Sequence, residues 1–173
     1  MKRIIYPLFL MATMLPTTVL AQQVQPTCTD SSRACMIAAA TAYLDSIVAH
    51  DASKVPFAPN IRRTEQGRVT AEGEAQIREL QKMQPDMAGR TNTRFFVDEP
   101  KHEVIAYTLL KVTGTKADAS RKTFSDHFAA KRKKPSTVHL AERFRVEKGL
   151  ITEIEAIFEV QIGTMDGTSG WAD

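Results

Sequence analysis

The chain has few of the residues that mark metal, phosphate or redox chemistry. Its 173 residues include four histidines, two cysteines and eight glycines. No two histidines stand two or four residues apart beside a carboxylate, and neither a glycine-rich phosphate loop nor a G-x-S-x-G motif occurs. The absence of these motifs argues against a metal centre, a nucleotide-phosphate site and an α/β-hydrolase fold. We therefore expect neither a metal nor a cofactor.

An excess of charge of one sign is also missing. Lys and Arg number 23 and Asp and Glu number 20, which gives a formal net charge of +3. The one basic cluster, 131–134, is typical of a solvated loop, and nothing resembles the basic footprint of a nucleic-acid-binding protein. We expect no nucleic-acid partner.

Only one long apolar run is present, at the start of the chain. Residues 4–20 are predominantly apolar, follow Lys2 and Arg3, and lead to Ala21. This order is typical of a secretory signal peptide, 1–21, rather than of a membrane anchor. Its removal leaves 152 residues (173 − 21), enough for one domain. We expect that domain to be exported, periplasmic or secreted, without stable membrane insertion.

The two cysteines, Cys28 and Cys35, follow this segment closely. In an exported protein the default is a disulfide, and their spacing does not fit a C-x-x-C redox pair. We expect a disulfide that ties a polar leader, 22–34, to the start of one folded domain, 35–162. The glycine-containing tail, 163–173, is expected to be flexible.

The periodicity of apolar residues predicts two helices followed by an antiparallel meander. The predicted helices and the short strand between them cover, in order, 30–49, 61–65 and 70–82, with Thr70 as the second N-cap. The later strands cover 91–97, 104–112 and 136–162, interrupted by a long excursion over 114–135. This order predicts an α+β fold, cone-shaped, with the helices on one face of a curved antiparallel sheet that encloses a pocket.

The stretch from Ser136 to Ile162 carries the strongest pattern. Apolar and polar residues alternate on both sides of Glu147-Lys148-Gly149, which predicts a β-hairpin. With Val146 opposite Leu150, both apolar sets share one face, and that face also carries Glu142. A carboxylate in the middle of an apolar sheet face indicates a sheet-walled cavity.

Three segments resemble the nuclear transport factor 2-like superfamily, which includes the SnoaL-like cyclases. They are the amphipathic helix at 38–51, the Arg63-Thr64-Glu65-Gln66-Gly67 turn and the hairpin at 143–155. The last two are similar to an uncharacterised secreted branch. The resemblance implies a cone-shaped cavity that, across the superfamily, hosts cofactor-free isomerases, dehydratases, cyclases and hydrolases alongside non-catalytic modules.

Glu142 is the first candidate catalytic residue. Apolar neighbours raise the pKa of a carboxyl group, as a general acid or base near neutral pH requires. Two alternatives remain: Glu142 pairs with a buried arginine such as Arg63, or a one-residue slip in register exposes it. Glu65 is the second candidate, as another carboxylate at the pocket mouth. Its alternative is a turn acceptor or a partner of Arg62 or Arg63.

The phenols of Tyr43 and Tyr107 are candidate donors to a developing oxyanion, although large aromatic residues more often belong to a core. Strand alternation sets Tyr107 on the face opposite Ala106. The predicted ligand-binding set also includes residues expected in the cavity: Arg63, Phe144, Ile154 and Phe158. We expect the ligand to be a small, mostly apolar organic molecule.

Two function classes are consistent with this pattern. The first is an exported ligand-binding domain that acts as a cofactor-free lyase or isomerase, with Glu142 as the base. The second is a non-catalytic module that binds a ligand or a protein through the sheet face. On the outer face of a central strand, Ile105, Tyr107 and Leu109 form an apolar patch that is large for a monomer, so we expect a homodimer.

We predict cleavage after Ala21 and a Cys28–Cys35 disulfide in the mature chain. Intact-mass measurement of protein recovered from outside the cytoplasm, before and after alkylation, checks both, because an oxidised pair takes up no alkylating reagent. A Cys28→Ser variant is the control, since it leaves Cys35 free to react. Two reactive thiols in the wild-type protein contradict the disulfide.

Overall fold

A computed structural model describes residues 28–113 and 134–170 of the chain. The predicted signal peptide and most of the predicted excursion lie outside the described residues. Two helices are described, α1 at Arg33–Ala49 and α2 at Glu74–Lys82. The strands are β1 Phe57–Glu65, β2 Arg68–Glu72, β3 Met87–Asp98, β4 Glu103–Val112, β5 Ser136–Glu147 and β6 Leu150–Ile162. No helix in these ranges is long and apolar enough to cross a membrane.

The strands form one curved sheet in the order β2-β1-β6-β5-β4-β3, with both helices packed on it. We call the face that carries the core and contacts α1 the inner face, and the opposite one the outer face. The predicted α+β class is confirmed. The prediction of an entirely antiparallel sheet is wrong at one place, because β1 pairs with β6 in parallel and sets Arg63 opposite Ile154.

Helix α1 begins at Arg33, directly after its N-cap residue Ser32. The Ser32 hydroxyl accepts a hydrogen bond from the Cys35 backbone N–H at 3.3 Å, and the Cys28–Cys35 disulfide joins the preceding segment to the first turn. The buried side of the helix, which includes Tyr43 and Leu44, packs against the inner face. The predicted disulfide is therefore present in the structure.

Strand β1 is longer than predicted. The strand predicted over 61–65 starts at Phe57 instead and runs through Pro59. A proline cannot donate a hydrogen bond to a neighbouring strand. Pro59 is accommodated because the pairing of β1 with β6 is irregular between Phe57 and Arg62.

Helix α2 starts later than predicted. Thr70 does not cap it, because Arg68–Glu72 forms β2 and pairs with β1 across the Gln66-Gly67 turn. Both turn residues have positive φ, 50° and 75°, as a tight two-residue hairpin turn requires. The helix begins only after Gly73.

The closing hairpin spans 136–162 as predicted, but its register differs near the turn. Val146 lies opposite Ile151 rather than Leu150, and Arg145 lies opposite Glu153, so Thr152 is an extra residue on β6. This bulge changes which residues of β6 point inward after the turn. The pairing at the turn and the bulge each shift the register by one residue, so Glu142 stands opposite Ala156 rather than Ile154, the partner that Val146 opposite Leu150 would give it.

The described part of the C-terminal segment packs on the outer face. Thr137 donates a hydrogen bond to the Thr164 carbonyl at 3.0 Å and accepts one from the Gly167 N–H at 3.0 Å, and Asn92 binds Ser169 at 3.3 Å. Leu109, expected in an exposed patch on this face, is only 5% exposed. Up to Gly170, the segment predicted to be a flexible tail is therefore hydrogen-bonded to the sheet.

Candidate functional site

The inner face carries a row of small and acidic side chains. Glu142 of β5 is flanked by Ala106 of β4 and Ala156 of β6, and Glu65 of β1 stands on the far side of Ala156. Both neighbours of the carboxyl group in this row are therefore small side chains. The two carboxylates are thus separated across the sheet by a single alanine.

The next row carries the cation. Arg63 of β1, Ile154 of β6 and Phe144 of β5 are neighbours in register. Arg63 therefore lies diagonally between the two carboxylates, within reach of both. The aliphatic and aromatic residues of this row wall the site with apolar surface.

The buried Arg63 guanidinium binds groups from several elements. Its Nε donates to the Tyr43 hydroxyl of α1 at 3.0 Å, and its Nη1 donates to Glu65 at 2.9 Å and to the Thr70 hydroxyl of β2 at 2.8 Å. Its Nη2 lies 3.7 Å from Glu142 Oε1. A buried cation is costly without such partners, so these contacts keep the guanidinium in place.

Glu142 is fully buried, and neither carboxylate oxygen makes a hydrogen bond of ordinary length and angle with the described residues; Arg63 and the Tyr43 hydroxyl are its polar neighbours. Burial raises its pKa from the ordinary 4.5 to about 7, although the Arg63 charge and the nearby Tyr43 hydroxyl lower it. Glu142 is thus close to a buried arginine and still titrates near neutral pH. Both protonation states are then accessible, as general acid–base chemistry requires.

Tyr43 is positioned as a hydrogen-bond donor. Burial raises the pKa of its hydroxyl well above the ordinary value, despite the positive charge of Arg63, so the phenol stays protonated. The hydroxyl oxygen accepts from Arg63, which leaves its own hydrogen to donate. Edge-to-face packing against Phe144 and Phe57, with ring centroids 5.2 Å and 6.1 Å away, fixes the ring.

The structure brings most of the predicted site residues together and separates one. The clustered residues are Glu142, Glu65, Tyr43, Arg63, Phe144 and Ile154. Phe158 lies on the same side of the sheet but one row away, opposite Leu140. Tyr107 lies on the outer face and is 51% exposed, since strand alternation turns it away from Ala106. It cannot share a ligand with Glu142, and its placement in the cavity is corrected.

Gln81 is the residue that the sequence analysis missed. It lies in the last turn of α2, is fully buried, and has no hydrogen-bond partner for either side-chain amide atom among the described residues. Its amide lies close to the Tyr43 hydroxyl. The pattern that indicates burial is its position four residues after the buried Ile77, on the same helix face.

Two other features lie away from this cluster. An open depression of about 880 Å³ on the outer face is lined in part by Phe96, Tyr107 and Ile157, together with Arg94 and His139. In the described ranges, the one group of potential metal ligands close enough to share an ion is Cys28, Asp30 and Cys35. The two sulfurs of that group are joined in the disulfide.

Comparison with known sequences gives a family without an assigned activity. A family model described as a domain of unknown function (DUF8021) matches residues 29–158. No curated protein matches the chain significantly.

Solved structures match the fold. A putative isomerase from Bacillus subtilis is 12% identical with a TM-score of 0.56, covering 73% of this chain and 87% of its own. An epoxide hydrolase/cyclase-like enzyme, described for pyran ring formation in polyether salinomycin, is 12% identical with a TM-score of 0.55, covering 76% and 98%. A protein of unknown function with a cystatin-like fold from Methylobium petroleophilum PM1 is 19% identical with a TM-score of 0.52, covering 82% and 97%. The matches confirm the nuclear transport factor 2-like fold.

We predict that Glu142→Gln removes a pH-dependent cost. A carboxyl group whose pKa rises on folding destabilises the folded state once the pH exceeds 4.5, its pKa in the unfolded chain. The destabilisation grows with pH and is complete when the pH passes about 7, its pKa in the folded chain. At about 1.4 kcal/mol per pKa unit, the wild type loses roughly 3 kcal/mol of unfolding free energy relative to the variant between about pH 4 and about pH 8. Chemical denaturation at both pH values measures this difference.

Glu147→Gln is the matched control for this prediction, because Glu147 is an exposed residue of the same strand. Its stability should follow that of the wild type at both pH values. If Glu142→Gln and the wild type have the same pH dependence, the pKa of Glu142 is not raised.

Proposed function

Because the chain belongs to the family described as a domain of unknown function, DUF8021, we propose its activity from the geometry of its buried site. The proposed function is cofactor-free proton transfer on a small, mostly apolar organic molecule, as a lyase or isomerase, with Glu142 as the general base. One observation carries it. A fully buried carboxyl that titrates near neutral pH lies beside a buried guanidinium and a buried phenol.

The chemistry follows from the order of these groups. Ionised Glu142 removes a proton from a carbon next to a carbonyl group, and the electron pair of that bond moves onto the carbonyl oxygen. The Tyr43 hydroxyl donates a hydrogen bond to this developing oxyanion, and the Arg63 charge stabilises it further. Return of the proton to another carbon completes an isomerisation, whereas departure of a group from the neighbouring carbon completes an elimination. Glu65 stays hydrogen-bonded to Arg63 and orients the guanidinium.

The similar structures support this proposal only through the fold. One is described as a putative isomerase and another as an epoxide hydrolase/cyclase-like enzyme, each 12% identical to this chain. A fold can carry many chemistries, so the side chains of the site carry the argument.

We predict that the mature protein accelerates deuterium uptake from D2O next to the carbonyl of small cyclic ketones, cyclohexanone and its larger-ring homologues. The rate should rise with pH through about 7, because the ionised form of Glu142 is the base. Glu142→Gln should lose on the order of 100-fold or more of the acceleration, which is typical of a lost general base. Proton NMR follows the exchange.

Two control variants sharpen this test. Tyr43→Phe should retain the rise with pH but lower the rate, since it removes a donor to the oxyanion and leaves the base in place. Glu147→Gln should exchange at the wild-type rate. Failure of every ketone to exchange faster than in buffer, or full activity in Glu142→Gln, contradicts the proposed chemistry.

The outer face supports a separate proposal about partners. Phe96, Ile105, Tyr107 and Ile157 are large exposed apolar residues on one continuous patch, with the Phe96 and Tyr107 rings 5.7 Å apart. We propose that this patch is the contact of a homodimer, since exposure of such a patch is unfavourable in a monomer. A non-catalytic role would use the same surface. Export of the protein is a further proposal, supported by the disulfide.

We predict that light scattering at micromolar concentration gives a dimeric mass for the mature protein, and that Tyr107→Glu gives a monomer. The introduced charge would be buried in the contact without a partner. Val69→Glu is the control, because Val69 is an exposed apolar residue on the far edge strand β2, and this variant should stay dimeric. A monomeric wild type excludes the proposed contact.

A further inference from the structure

The Gln81 side chain is a buried polar group that the proposed proton transfer leaves unused. It is 0% exposed, and neither Oε1 nor Nε2 makes a hydrogen bond of ordinary length and angle with the described residues; the Tyr43 hydroxyl is the polar group that lies beside the amide. A buried amide without partners costs free energy, whereas an apolar side chain such as that of Ile77, one turn earlier, does not. Such a group is explained if a ligand completes its hydrogen bonds.

Gln81 lies next to the groups that would do the chemistry. Its amide is close to the Tyr43 hydroxyl, which accepts a hydrogen bond from Arg63 and lies near Glu142. The amide of Gln81 and the carboxyl group of Glu142, which also lies 3.7 Å from Arg63 Nη2, therefore adjoin the same hydroxyl. A molecule held by Gln81 would be within reach of Glu142.

The charges of the site determine what kind of molecule fits. Arg63 already has Glu65 at 2.9 Å and Glu142 at 3.7 Å. An added anion would meet the buried Glu142 carboxylate, and an added cation would meet the Arg63 guanidinium, so a buried ligand charge would be unfavourable. The ligand group is therefore uncharged.

The amide determines the hydrogen-bonding pattern. Gln81 presents an N–H donor and a C=O acceptor on neighbouring atoms. The complementary group also carries one acceptor and one donor side by side. Cyclic secondary amides and α-hydroxy ketones have this arrangement.

We infer that Gln81 is the residue that recognises the ligand, and that the ligand is an uncharged, mostly apolar molecule with a hydrogen-bond donor and acceptor on adjacent positions. The inference rests on the proposed function in one respect: it takes the ligand site to lie beside Glu142. It does not depend on which reaction takes place there. Gln81 holds the polar end of the molecule and thereby directs the neighbouring carbon towards Glu142.

Two six-membered rings test this recognition in the mature, disulfide-bonded protein. δ-Valerolactam carries a donor beside its acceptor, whereas cyclohexanone carries the acceptor alone. NMR titration should show that the wild type binds the lactam on the order of 10-fold more tightly than the ketone, because a site built to hydrogen-bond a group rejects the analogue that lacks it. Gln81→Leu should remove this preference. Gln76→Leu, on an exposed position of the same helix, should keep it.

Stability provides the second measurement. Gln81→Leu should raise the denaturation midpoint of the ligand-free protein, since it removes an unpaired buried amide. A lowered midpoint means that Gln81 has a structural partner and overturns the inference. Equal affinity of the wild type for both rings, or a lactam preference that survives Gln81→Leu, also overturns it.

The outcomes separate this inference from the proposed reaction. If lactam preference depends on Gln81 but ketone exchange does not depend on Glu142, only the reaction is wrong. If exchange depends on Glu142 and the lactam preference does not depend on Gln81, only the recognition is wrong.

Discussion

The buried guanidinium of Arg63 is the interaction on which the site depends. A cation in the interior is tolerated only when acceptors surround it, and here they come from α1, β1, β2 and β5. These contacts join α1 to β1 and β2 and, across β6, to β5. They therefore span the place where β1 pairs with β6 in parallel. The same carboxyl group that balances Arg63 is the one that titrates near neutral pH. The stability of the fold and the proposed chemistry are therefore coupled through one charge.

Some of this arrangement could be predicted from the local sequence pattern. Alternation along β5 placed Glu142 on the apolar face, because successive side chains of a strand point to opposite faces of the sheet. Alternation along β4 likewise placed Tyr107 on the sheet face that Ala106 does not occupy. The disulfide and the Ser32 cap also follow from neighbours in sequence. Each of these features is fixed within a few residues.

The remaining features depend on contacts between distant segments. The position of Ala156 beside Glu142 could not be assigned from the sequence, because the Thr152 bulge shifts the register of β6. The approach of Arg63 to Glu142 depends on the parallel contact of β1 with β6, for which no turn motif exists. Gln81 was missed because its burial requires α2 to lie against the sheet beside Tyr43. Long-range pairing and helix docking are set by the whole core rather than by local periodicity.

The bulge on β6 also determines where the chain tolerates a change in length. Thr152 has no opposite residue on β5, since Val146 pairs with Ile151 and Arg145 pairs with Glu153. Its deletion would make this end of the hairpin regular while leaving Ile151 and Ile154 inward. Deletion of a paired residue further along β6 would instead reverse the direction of every side chain on one side of the gap. A one-residue deletion at Thr152 therefore leaves the residues opposite Glu142 and Arg63 in register, whereas a deletion at a paired position of β6 does not.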